Sequence, residues 1–222
     1  MIGDLVIKRF ALLATAATLI ASFATAAIAS GRSSRHRHGA VRARLASDTP
    51  DQVIRWNQEL LKVLVAPGAQ PASIHPTRTL AITQIAVYDA VNGILGGGQP
   101  LVVDLHGPRS ASAEAAAAAA AHTTLDALLP GQQPTIDAFF RSSLAQIGPG
   151  EHVDRGIHFG NAVAEAVLAA RSNDGATAIP PVFTPGTGPG EYQLTPPAFA
   201  PAGFTQTRHV TPFVLESAGQ FR

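Results

Sequence analysis

The stretch PTRTLAITQIAVYDAVNGI, residues 76–94, decides the fold. Pro76 suits the first position of a helix, where its missing N–H is no loss, and Gly96, Gly97 and Gly98 end the run. Between these marks the apolar residues keep to no single side. Ile82 and Ile85 fall on one face, and Leu80, Val87, Val91 and Ile94 on the other. A helix that is apolar all round is buried all round, so this segment is expected to be the central helix of an all-α bundle. Two charges sit on it. Arg78 and Asp89 are eleven residues apart, which places them within about 20° of each other on a helix, in a stripe with Ile82, Ile85 and Asn92. A buried charge needs a partner. Each either finds one on a neighbouring helix or lines a pocket.

Working outward, four more helices are expected. The first covers residues 50–65, with Thr49 as N-cap, Pro50 at the first position and Asp51 at the positive end of the dipole. Val53, Trp56, Leu60, Leu61 and Leu64 form its apolar face, and Gly68 stops it. The third covers residues 112–129 and contains an unbroken alanine run, residues 115–121. Alanine is the best helix former and lets helices approach closely. Pro130 and Gly131 end it. The fourth spans residues 134–147, with Ile136, Phe139, Phe140 and Leu144 as its core side. The fifth starts at Pro149, ends near Asn173 with Gly175 as C-cap, and buries Val163, Val167 and Leu168. The segment LVVDL, residues 101–105, reads as an extended linker rather than a strand.

Beyond Gly175 the helical period disappears. Residues 176–222 are rich in proline and glycine yet keep Phe183, Tyr192, Leu194, Phe199, Phe204, Phe213, Val214, Leu215 and Phe221. A disordered tail would not carry so many large apolar groups. The segment is expected to lie extended across a surface and bury its aromatics there. The fold class is therefore all-α, a bundle of about five helices with a long Pro-rich extended C-terminal segment.

The opposite end reads as an address. Lys8 and Arg9 precede an uncharged apolar run, residues 10–29, with small-x-small sites at Ala24-Thr25-Ala26 and Ala27-Ile28-Ala29. This is the layout of a cleaved secretory signal. A retained membrane anchor is the other reading, weakened by nine alanines in the run. Residues 30–48 form a basic, aperiodic linker in which Arg32, Arg35, Arg37, Arg42 and Arg44 face no acid before Asp48. His36 and His38 in it could bind a metal loosely. The chain divides accordingly into residues 1–29, 30–48, 49–175 and 176–222. It is expected to be secreted or periplasmic, and to meet a membrane only if the signal stays uncleaved.

Composition excludes several classes. The formal net charge of +1 conceals a body that, from residue 45, holds 9 Lys or Arg against 14 Asp or Glu, so no nucleic-acid partner is expected. Without cysteine there is no disulfide, thiolate zinc site or cysteine nucleophile. No GxSxG elbow, GK[ST] loop, HExxH or Glu-x-x-His is present. The GTGPG segment, residues 186–190, has no strand before it and no helix after it, and reads as a turn. Glu151, Asp154, Arg155 and His158 share a helical face as two i, i+4 pairs, which reads as a solvated, salt-bridged surface.

Four stretches resemble the N-terminal half of bacterial proteins in the vanadium-dependent haloperoxidase and PAP2-type acid phosphatase superfamily. They are VIRWNQELLKVL at 53–64, PASIHPTRTLAITQIAVYDAVNGI at 71–94, AEAAAAAAAHTTLDALLP at 113–130 and TPFVLESAGQFR at 211–222. AVYDAVN, residues 86–92, is the most specific piece. The resemblance implies a helical bundle around an oxyanion pocket that holds vanadate in the peroxidases and a phosphoryl group in the phosphatases. It also implies a lysine, two arginines and a histidine there, in Lys…Arg-Pro, Pro-Ser-Gly-His and Ser-Arg…His segments. None of the three occurs in the matched region, residues 53–222. The chain's lysines are Lys8 and Lys62, and it contains no Arg-Pro and no Gly-His. In such proteins the catalytic segments lie downstream of the matched region. No catalytic, cofactor-binding or metal-binding residue is therefore carried over, and vanadate or phosphate is expected only of a complete family member.

The expected function is the N-terminal helical part of an exported haloperoxidase-like or phosphatase-like protein, inert alone, whose partner is the missing C-terminal half or a second copy of itself. The alternative is a non-enzymatic exported helical protein that binds a partner through its Pro-rich tail.

Overall fold

A computed structural model describes residues 51–70 and 75–221. The expected signal, basic linker and Thr49 cap lie outside the described residues. Within them are five α-helices: α1 (Gln52–Leu64), α2 (His75–Leu95), α3 (Ala113–Leu128), α4 (Gln133–Ile147) and α5 (Glu151–Arg171). No strand occurs among the described residues, so LVVDL is indeed not a strand, and no described helix is long and apolar enough to cross a membrane.

Each helix starts where a local polar group or a break dictates. α1 begins at Gln52 rather than Pro50, because the Asp51 carboxylate accepts the Val53 N–H at 2.9 Å and takes the cap position itself. Its Trp56, Leu60, Val63 and Leu64 are buried, while Leu61, expected on that face, is 48% exposed. The ring of Trp56 meets Phe139 of α4 edge-on at a centroid distance of 4.9 Å. Ser112 caps α3 by accepting the Ala115 N–H at 3.1 Å. α5 starts at Glu151, two residues after the expected Pro149, and ends at Arg171, short of the expected Asn173.

The centre of the bundle is α3, not α2 as the apolar count suggested. The alanine helix packs against each of the other four helices, and residues 115–121 are all buried. The correction has a steric cause. Apolar residue types advertise burial, but the innermost helix must be approached from every side, and only the smallest side chain permits that. α5 comes nearest, through two glycines. A Cβ placed on Gly160 would lie 2.3 Å from the Ala116 carbonyl oxygen, and one on Gly156 would lie 2.4 Å from that of Ser112. α2 flanks this pair. It buries Ile82, Ala86, Ala90 and Ile94, a stripe at i, i+4, i+8 and i+12, along with Ile85 and Val87. Tyr88, at 39% exposed, and Leu95 face outward.

Asp89 is 2% exposed, and its partners lie on no neighbouring helix. Its carboxylate accepts the backbone N–H groups of Leu101, Val102 and Val103 at 2.7, 3.0 and 3.0 Å. Tyr88 Oη donates to the Gln99 carbonyl at 3.0 Å, and the Asn92 amide exchanges two hydrogen bonds with Gly98. The AVYDAVN segment therefore hangs the α2–α3 connection on α2. Gly93 makes room for it, since a Cβ there would sit 2.5 Å from the Leu105 carbonyl oxygen.

The C-terminal segment contains one short 3-10 helix, Thr205–His209, and no other regular element. Its aromatics are not buried together as expected. Phe204 and Phe213 are half-buried, while Phe183, Tyr192, Phe199 and Phe221 are exposed. Proline-rich chain donates few backbone hydrogen bonds and has no repeating face, so it is pinned at points rather than along its length.

Two predictions follow from this packing. Gly160→Ala will destabilise the protein by about 3 kcal/mol, read by chemical denaturation, whereas Gly203→Ala, where a Cβ meets nothing, will leave it unchanged. Asp89→Ala will cost about 3 kcal/mol, because it strands three N–H groups that a buried carboxylate satisfied. A melting temperature within a degree or so of wild type would refute the clamp.

Candidate functional site

Of the two charges on α2, only Arg78 reaches a polar cluster. Its Nε donates to Asp174 Oδ2 at 2.8 Å and its Nη2 to the Arg171 carbonyl at 2.9 Å. Arg171, from the last turn of α5, places Nη2 2.9 Å from the same Asp174 oxygen. Asp174 Oδ1 accepts the Ala176 N–H at 3.0 Å. Two guanidinium groups thus share one carboxylate. The side chains of Asp174 and Arg171 are 3% and 7% exposed, and that of Arg78 is 25% exposed.

The same arginine pins the tail. Arg171 donates to the carbonyls of Thr211 (2.6 Å) and Pro212 (3.2 Å) and lies 4.0 Å above the Phe213 ring. The Thr211 N–H donates to the Asp174 carbonyl at 2.8 Å. Beside this hub is a cavity of about 310 Å³, lined by His75, Arg78, Gln206, Val210, Thr211 and Phe213, among others. Gln206 Oε1 and His75 Nδ1 are shielded from solvent and have no hydrogen-bond partner among the described residues.

Burial would raise the Asp174 carboxyl, but the hydrogen bond from Arg78, the Ala176 N–H and the charges of both arginines outweigh it. The group is held below its ordinary value of 3.8. Its contribution to stability is accordingly complete above that ordinary value and is lost as the pH falls through the folded-state pKa.

Chemically the hub is a joint. An oxyanion pocket needs positive charge without an internal counter-ion. Here one carboxylate already draws on both arginines, and backbone carbonyls take further donors. Lys62 is remote from it in role, paired with Glu59 of α1 at 2.8 Å. Asp89 does not line the cavity. On α5, Glu151 (91% exposed) pairs with Arg155 at 3.2 Å as a solvated contact. The second expected pair, Asp154 with His158, is not formed, and both residues are exposed. Arg171 and Asp174 escaped the sequence reading because a basic residue at a helix C-terminus reads as a dipole partner. The only loose metal binders read from the sequence, His36 and His38, lie outside the described residues, whereas the structure gathers His122, Asp126 and Asp137 with ligand atoms within 4.8 Å of one another.

No family model matches the chain, and no curated protein matches it. Among solved structures it is similar to one described as the first bacterial vanadium-dependent iodoperoxidase, with a TM-score of 0.61 and 21% identity. The likeness covers 79% of this chain and 45% of that one, so the chain spans less than half the iodoperoxidase's length. At this identity the likeness shows the fold: a vanadium haloperoxidase-like arrangement of helices.

Asp174→Asn will cost roughly 3 kcal/mol at neutral pH, because it leaves two largely buried guanidiniums facing each other. The gap between variant and wild type will narrow as the pH is lowered below 3.8. Denaturant titrations across that range read both effects, and a gap independent of pH would refute the assignment.

Proposed function

We propose that this chain is the N-terminal helical part of an exported protein of the vanadium-haloperoxidase or PAP2-phosphatase kind, without an oxyanion site of its own. The observation that carries the reading is the asymmetric likeness to the iodoperoxidase, which takes in most of this chain and under half of that protein. The engagement of Arg78 and Arg171 with Asp174 and with main-chain carbonyls agrees with it. So does the absence of Arg-Pro and Gly-His from the sequence. In this reading the helices form one wall of a larger molecule, and the remaining half, or a second copy, covers apolar surface such as Ile54 and Leu61 of α1 and Val65 just after it. Export rests on the apolar run at residues 10–29 and its small-x-small sites.

A binding role for the tail is the second reading, favoured by the exposure of Val182, Phe199 and Phe221. The two part company in solution. A wall cut from a larger enzyme will bind a hydrophobic dye and associate, whereas a self-sufficient binding protein will be a dye-silent monomer with one sharp melt. The purified chain is expected to show no bromide or iodide oxidation with peroxide and vanadate, and no phosphate-ester hydrolysis. Turnover that copurifies with the chain and disappears in Arg78→Ala would overturn the proposal.

A further inference from the structure

The turn between α3 and α4 holds a side-chain cluster that the proposed function does not use. His122 and Asp126 stand one helical turn apart on α3, and Asp137 faces them from α4. Their ligand atoms all lie within 4.8 Å of one another. His122 Nε2 is 2.8 Å from Asp137 Oδ1. The imidazole stacks on Phe140 at a centroid distance of 4.3 Å and 21°, which fixes the plane in which its nitrogens point. Asp126 Oδ2 accepts from Gln133 Nε2 at 3.0 Å. Asp126 Oδ1 is shielded from solvent and accepts no hydrogen bond from any described residue. A shielded carboxylate oxygen without a donor is unfavourable unless a cation or a trapped water completes it.

We propose that His122, Asp126 and Asp137 bind a divalent first-row transition-metal ion, with zinc as the type. Zinc bonds to imidazole nitrogen and carboxylate oxygen run at about 2.0–2.2 Å, which sets neighbouring ligand atoms roughly 3–3.5 Å apart. The His122–Asp137 pair is already near that separation, and the 4.8 Å limit on the cluster leaves Asp126 only a small side-chain adjustment to make. One imidazole and two carboxylates favour such an ion over magnesium or calcium, which prefer oxygen throughout. The ion takes the place of the direct contact between Nε2 and Oδ1. Gln133 orients the Asp126 carboxylate as an outer-shell donor, and Phe140 supports the ring. Three protein ligands leave at least one position to water. Two ligands come from α3 and one from α4, so the ion ties the two helices together across their turn.

The site stands independently of the proposed function and is tested without an activity assay. Zinc is titrated calorimetrically into the metal-stripped full chain carrying His36→Ala and His38→Ala, which removes the two histidines of the basic linker. One ion per chain is expected, with a higher melting temperature. Asp126→Asn keeps the shape of the carboxylate and will weaken binding by tenfold or more, as will His122→Ala. Gln133→Ala will weaken it by about tenfold. Cobalt in place of zinc will give visible d–d bands that are lost in both ligand variants, and excess magnesium will not displace either ion. Circular dichroism establishes that Asp126→Asn is folded, so this variant decides the matter even if His122→Ala is not. No uptake, uptake unchanged in Asp126→Asn, or displacement by magnesium would each overturn the proposal.

Discussion

The structure depends on one steric condition: α3 and α5 meet backbone to backbone. Ala116 carries the smallest side chain that a chiral residue can have, and Gly156 and Gly160 opposite it carry none. The gain is dispersion between close-packed main chains and the exclusion of water from a seam of alanine and glycine flanked by Val153, Val163 and Val167. Everything else is arranged around that seam. α2 and α4 supply the bulk that the alanines lack, with Ile82, Ile94, Ile136 and the Phe139–Phe140 pair filling the outer layer, and Trp56 of α1 closes it.

Such a core leaves its irregular connections without partners of their own, and side chains provide them. Asp89 satisfies three consecutive N–H groups where the α2–α3 connection crosses. Arg171 and the Asp174 backbone do the same for residues 211–212 of the tail. In both cases a buried charge holds main chain, Asp89 alone and Arg171 while it is also paired with Asp174. Charge-assisted bonds of this kind are stronger than neutral ones and can span several backbone groups at once, which is what a proline-rich connection without a ladder requires.

Helix number and approximate extent were legible in the sequence because proline, glycine and capping residues punctuate it. The identity of the central helix was not, since hydrophobic residue type and closeness of approach are different quantities. Ala118 contributes little apolar area yet is fully buried, whereas Leu61 is large and half out in water. Thr49 was the expected cap and Asp51 only a partner of the helix dipole, yet Asp51 takes the cap position. The hub was half legible. Arg78 on an apolar helix demanded a partner, but Asp174 lies ninety-six residues away in a connection whose course no periodicity reveals. The AVYDAVN segment was visible as a signature, and only the structure gives its physical content, a helix edge whose Tyr88, Asp89 and Asn92 all hold loop backbone.

The distribution of polar groups separates a scaffold from a site. Active sites keep donors, acceptors and charges unspent, at a cost in stability, so that a substrate can use them. Asp89 and Asp174 in this bundle are spent on its own chain, and Arg171 is nearly so. That pattern suits a wall whose task is to hold irregular segments in place. The Asp174 hub illustrates the difference: with two guanidiniums it resembles an anion site in composition, but its anion is internal and covalently fixed, which makes it a joint between α2, α5 and the tail. His122 and Asp126 depart from the pattern. Their cluster carries a shielded carboxylate oxygen that nothing described satisfies, on elements that are otherwise well packed. His75 and Gln206 also carry a shielded polar atom without a described partner, but only here does an imidazole stand beside two carboxylates within 4.8 Å among the described residues, the donor set that a small divalent cation requires.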